Sequence, residues 1–163
     1  PEGTVEAFLS LGGESPDLIH IATHGFYCEP TGSENKSDAY RLSMNMSGLI
    51  MAGGEKLTAA DIAAMDLSGT TIVSLSACET GLGHATPEGI YGLQRAFRKA
   101  GVRYLLVNVG EASDVASSLF MAEFYKAVVR NGCDIHDAFR KARQTVRQRY
   151  PDPYYWSGFL LLD

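Results

Sequence analysis

Residues 18–25 read LIHIATHG, and residues 71–83 read TIVSLSACETGLG. Each stretch opens as a short apolar run and ends on small or polar residues. The runs are too short for helices, and β-branched residues are frequent in them, so both read as buried strands, over Asp17–Thr23 and Thr71–Ser76. A buried strand normally just turns at its end. The first of these runs out into His24 and Gly25, and the second into Ala77, Cys78 and Glu79.

Outward from this pair, apolar strands alternate with helical patterns. Thr4 caps a short helix over residues 4–10, ended by Gly12 and Gly13. Thr58 caps another to Met65, with Asp61 three residues on. A helix over Glu88–Ala100 places Ile90, Leu93 and Phe97 on one face and stops at Gly101. A third strand spans Val102–Val109. Ser113 or Asp114 caps a helix to Arg130, with Val115, Leu119, Ala122, Tyr125 and Val129 inward. Asp134 caps the next helix, with Ile135, Ala138, Phe139, Ala142 and Val146 inward, and Pro151 and Pro153 end it. Trp156–Leu162 is the last strand. Residues 26–56 read as a long polar loop, with RLSMNMSGLIM as a hairpin inside it. Near-continuous apolar strands alternating with helices imply a mostly parallel sheet covered on both faces, an α/β fold.

Composition sets outer bounds. With 163 residues, 45% of them hydrophobic, the chain is long enough for one domain with one core, taken as 1–163. A net charge of −5 argues against direct nucleic-acid binding. No apolar run approaches the length needed to cross a bilayer, so no membrane partner is expected. Three cysteines, Cys28, Cys78 and Cys133, are not a disulfide framework and suit a reducing, cytoplasmic setting. The chain opens on Pro1 rather than Met, so it reads as part of a larger protein.

In an open α/β sheet, sites lie beyond the carboxyl ends of the strands. Parallel neighbours lie about 4.8 Å apart, so adjacent first and second strands would bring out His24 and Cys78 side by side. An imidazole there can take the proton of the thiol, and the thiolate is a nucleophile. Gly25 lets backbone approach a ligand, and its N–H, with that of Cys78, can receive a developing oxyanion. Ser76 and Ala77 leave room for a substrate carbonyl. Taken singly, a histidine at a strand end is more often structural and a buried cysteine a small hydrophobe. The pair is the stronger sign, because both stand at equivalent strand ends among small residues.

Other signals carry less. His20, His24 and Cys28 recur every four residues, but they fall on a strand rather than a helix, so no metal is assigned. GLGHATPEG lacks the lysine and spacing of a phosphate loop. RKARQTVRQR, residues 140–149, is a basic helix face, read as solvated or as a docking surface. Cys133 reads as structural, and His84 and His136 as surface residues.

LIHIATHGFY, VSLSACETGLG, PEGIYGLQRAFRKAGVRYLLV, FMAEFYKAVV and YYWSGFLLL together resemble the CHAT domain, a caspase-like peptidase domain often attached to TPR repeats. The resemblance covers nearly the whole chain, from about Gly3 to Leu162. It implies a three-layer αβα fold with a mostly parallel sheet and an antiparallel last strand. It implies a cysteine endopeptidase with His24 as general base or acid, Cys78 as nucleophile, and Gly25 and Cys78 as oxyanion donors. No metal or organic cofactor is implied. The partners implied are a protein or peptide substrate and a regulatory, TPR-like or other N-terminal sensor region. Ser76, Glu79 and Gly110 fall at the substrate cleft. By position Asp114 matches the aspartate that lines the separase pocket for a basic P1 side chain; as a bare residue it equally suits a helix cap.

Two departures stand against the family pattern. Gly110 replaces a tryptophan, and two family strands that precede Gly3 are not in the sequence. These departures favour an inactive, protein-binding scaffold as the alternative, while the intact His24 and Cys78 favour an enzyme. A thiol hydrolase of small acyl groups is the third reading.

Overall fold

The computed structural model describes residues 3–27, 44–76, 87–108 and 113–163, with side chains from residue 92 onward in the third stretch. Its strands form two sheets. In the larger, β1 (Leu18–Ile21), β5 (Ile72–Leu75), β6 (Tyr104–Asn108) and β7 (Phe159–Leu162) lie in the order β1-β5-β6-β7. The sheet is mostly parallel with an antiparallel last pair, as the caspase-like α/β class requires. Every residue of β5 and β6 is buried. Strands with no solvent face need apolar side chains on both sides, which is why these two read as continuous apolar runs.

The condition for bringing the two strand ends together is met: β1 and β5 are adjacent and parallel. Leu18 stands beside Ile72 and Ile21 beside Leu75. Backbone bonds extend the pairing at both ends, with Thr71 N–H donating to the Asp17 carbonyl (2.9 Å) and Ser76 N–H to the Ile21 carbonyl (2.9 Å).

Of residues 26–56, the described part carries strands where a loop is expected. β2 (His24–Tyr27), β3 (Ser47–Ile50) and β4 (Lys56–Thr58) form a second, antiparallel sheet in the order β2-β3-β4. Among the described residues of RLSMNMSGLIM, Ser47–Ile50 form a strand, and it pairs on both sides, with β2 and with β4. The turn from β3 to β4 contains Gly53 and Gly54 at φ of 76° and 79°, a conformation that suits residues without a Cβ. Leu49 and Leu57, fully buried, anchor this sheet. Residues 28–43 lie outside the described residues.

The chain divides into two compact units, Pro1–Leu106 with Leu162–Asp163, and Val107–Leu161. In the first, α1 (Val5–Leu9) is capped by Thr4. The helix α2 (Ala59–Ala63) starts at a capping box: Thr58 Oγ1 accepts from Asp61 N–H (3.1 Å), and Asp61 Oδ2 accepts from Thr58 N–H (3.0 Å). Thr58→Ala is expected to cost about 1 kcal/mol, read as a shift in the urea midpoint at unchanged slope. The longer α3 (Pro87–Lys99) packs on α2 through buried Leu93, Ala96 and Phe97, and Gly101 (φ 100°) ends it, as its pattern foretold.

In the second unit, α4 (Asp114–Tyr125) continues through a wider π turn over Lys126–Arg130 and packs on α5 (Ile135–Arg149). The expected inward face of α4 is wrong. Val115 and Val129 are 62% and 69% exposed and Ala122 is exposed, while Ala116, Phe120, Met121, Phe124 and Ala127 are buried. The helix carries apolar residues on two faces, so periodicity alone does not choose between them. Aromatic bulk does: Phe120 stacks on Phe159 with ring centroids 4.0 Å apart and meets Phe139 edge-on at 5.7 Å. In α5, Ile135, Ala138, Ala142 and Val146 are buried as expected, and Phe139 is half-buried. Trp156 precedes β7 rather than belonging to it. Among the described residues no helix is long and apolar enough to cross a membrane.

Candidate active site

β1 ends at Ile21, and only Ala22 and Thr23 separate it from β2. His24 is therefore the first residue of a new strand, not a loop residue. Its backbone stands opposite Ile50 of β3, and the Thr23 hydroxyl donates to the Ile50 carbonyl. The link between the sheets is thus pinned one residue before the imidazole. The His24 side chain is exposed, and Gly25 behind it is buried. Among the described residues β2 is an edge strand, and an edge strand leaves alternate backbone N–H groups unpaired by its neighbour.

β3 is held closely from both sides. A Cβ on Gly48 would lie 2.1 Å from the Leu57 carbonyl oxygen and 2.8 Å from Phe26 Cε1. Phe26, cross-strand from Gly48, lays its ring into that space, with the Lys56 ammonium 4.9 Å from the ring centroid. Ser47 is buried, and a Cβ on Gly92 of α3 would come within 2.7 Å of its hydroxyl. Two glycines thus let strand and helix close on the sheet that carries His24.

On the other strand, β5 ends at Leu75 beside Ile21, and Ser76 is half-buried. Counting onward, His24 is the third residue after Ile21, and Cys78 the third after Leu75. Cys78, Glu79 and Gly110 lie outside the described residues. Asp114 is exposed in the first turn of α4, in the second unit. The N-cap is Ser113, so Asp114 does not cap the helix, although a carboxylate in the first turn suits the helix dipole.

Thr23 is a contributor that the sequence does not single out. A hydroxyl residue between a strand end and His-Gly was the available signal. A concavity of about 490 Å³ also opens between α1 and β1, lined by Phe8, Leu11, Ile19, His20 and Thr23 among others. His20 is exposed to solvent, yet partial desolvation of its ring lowers its pKa from the ordinary histidine value, which favours the neutral imidazole. Among the described residues no three His, Cys, Asp or Glu side chains group as a metal site would require.

The family profile of the CHAT domain matches residues 1–162. Tetratricopeptide repeat protein 28 of Mus musculus is 32% identical over 108 residues, 65% of this chain and 4% of that protein. Its namesake in Homo sapiens is 31% identical over 108 residues, with the same coverage. The match therefore spans about 4% of the length of these curated relatives. With nearly every residue inside the family profile, and the caspase-like sheet in place, the chain belongs to the CHAT domain family.

Proposed function

We propose that this domain is a cysteine endopeptidase acting on a protein partner. The observation that carries the proposal is the parallel register of β1 and β5, in which Ile21 stands beside Leu75. His24 and Cys78 follow those two residues at the same offset in the sequence, and the paired strands that lead to them, β1 and β5, are about 4.8 Å apart. His24 takes the thiol proton of Cys78, and the thiolate adds to the scissile carbonyl carbon. The N–H groups of Gly25 and Cys78 receive the oxyanion. The intermediate collapses to a thioester as the C–N bond breaks and His24 gives its proton to the departing amine. Water, losing a proton to His24, then cleaves the thioester and restores the thiol.

Ser76, Glu79 and Gly110 line the substrate cleft in this reading, and Asp114 receives an Arg or Lys side chain at P1 by a charge-assisted pair. The named relatives are tetratricopeptide repeat proteins, which supports control by a TPR-like region in the same protein or a partner. Three cysteines without a disulfide framework support work in the cytoplasm.

A peptide acyloxymethyl ketone with Arg at P1 tests the assignment. Mass spectrometry is expected to find one adduct, on Cys78, absent from Cys78→Ala. Unselective labelling, equal at Cys28 and Cys133, would instead indicate a protein-binding scaffold.

A further inference from the structure

The basic run of α5 is not a plainly solvated face. The helix carries Arg140, Lys141, Arg143, Arg147 and Arg149 against one carboxylate, Asp137, in a chain whose net charge is −5. Its apolar side is buried. On the other side Trp156 folds back against the helix, its Nε1 donating to the Pro151 carbonyl at 3.3 Å. The guanidinium carbons of Arg143 and Arg147 lie 5.3 and 5.1 Å from the Trp156 ring centroid, and Arg143 is also 6.0 Å from that of Phe139. These residues, with Arg140 and Gln144, line a depression of about 420 Å³.

Arg140 pairs with Asp137. Among the described residues neither Arg143 nor Arg147 has a carboxylate partner. A guanidinium held against an aromatic ring keeps its N–H fork for a planar acceptor, and part of its conformational freedom is already spent. Two such forks share one indole.

We infer that this depression docks an acidic segment of a protein partner, with carboxylates at alternate positions of an extended chain. The spacing supports it. Arg143 and Arg147 are four residues apart, so they are separated by about 6 Å along the helix. Alternate side chains of an extended peptide recur every 6.6 to 6.8 Å or so. Each carboxylate then meets one fork, while Phe139 and Trp156 receive the apolar stems between them. A polynucleotide fits less well, since it wants a broad basic footprint and this patch is one helix face of an acidic chain. The inference does not rest on the peptidase reading, because no residue of that site takes part.

The test uses the 163-residue chain and a fluorescent peptide with Glu at alternate positions. Fluorescence anisotropy at low salt is expected to show saturable binding that weakens as salt rises. Arg143→Ala with Arg147→Ala is expected to weaken it about tenfold or more, and Trp156→Ala several-fold, at unchanged melting temperature. Arg143→Lys with Arg147→Lys keeps the charge and loses the fork, so a several-fold loss is expected there too. Equal binding by the double alanine variant, no binding by the unaltered chain, or tighter binding of a single-stranded oligonucleotide of equal charge would each overturn the inference.

Discussion

His24→Ala is expected to lower kcat/KM for peptide cleavage by about 10³- to 10⁴-fold while leaving the melting temperature almost unchanged. The rate loss follows from removing the one group proposed both to ionise Cys78 and to protonate the leaving amine, and each factor of ten corresponds to about 1.4 kcal/mol of barrier. The unchanged stability follows from the fold. The His24 side chain is exposed, and its β2 contacts are made by backbone that alanine retains. Surface substitutions of that kind usually fall within about 0.5 kcal/mol. A His24→Ala variant that cleaves at the original rate would remove the histidine from the mechanism whatever Cys78 does. Measuring both the adduct on Cys78 and the turnover separates loss of the base from loss of the nucleophile.

Gly48→Ala is expected to destabilise the first unit by about 3 kcal/mol or more, at the upper end of the range for overpacking. For a chain of this size that corresponds to a fall in melting temperature of roughly 6 to 12 °C. The added methyl would sit 2.1 Å from the Leu57 carbonyl oxygen and 2.8 Å from Thr58 Cα, both backbone atoms. Neither can swing aside as a flexible side chain would. β3 is the central strand of its sheet, so the strain falls on pairing with β4 and, through Phe26, with β2. Because β3 also carries Ile50, the partner of His24 and Thr23, labelling of Cys78 should fall with stability. Gly53→Ala is the control. It has positive φ but open space around it, so it should cost only the 1 to 2 kcal/mol or so of left-handed backbone. Equal effects at the two glycines would show that close packing at Gly48 is not what holds the sheet.

These two residues mark what was and was not legible in the sequence. His24 stands out as a candidate in the sequence because a strand core is written locally. Leu18, Ile19 and Ile21 are contiguous with the residue they deliver, and so are Ile72, Val73 and Leu75 with Ser76. Gly48 was passed over because its reason to be glycine sits elsewhere in the chain, in Leu57 and Phe26. β2 and β3 show the same limit. Each is four residues long, and His24 pairs with Ile50 across 26 positions, so neither carries a pattern long enough to read. The sequence bounded that region as polar, and polarity resembled a loop.

The α4 helix failed differently. Its helical period was plain, and so was the cap near Ser113. Two apolar faces competed, and the choice fell to Phe120 finding Phe159 and Phe139, neither of them a neighbour in sequence. Trp156 likewise read as strand, whereas it lies against Arg143 and Arg147.

By itself the sequence determined the strands β1, β5 and β6, the caps at Thr4, Thr58 and Asp134 and the buried face of α5, and it suggested His24 and Cys78 as a candidate pair. Those follow from local apolar runs, from the 3.6-residue period and from short-range capping bonds. Only the tertiary structure decided that Ile21 stands beside Leu75, that His24 begins a second sheet, which face of α4 is buried, and that Trp156 orders two arginines. Each of those is a contact between residues far apart along the chain, settled by shape and volume once the local elements had formed.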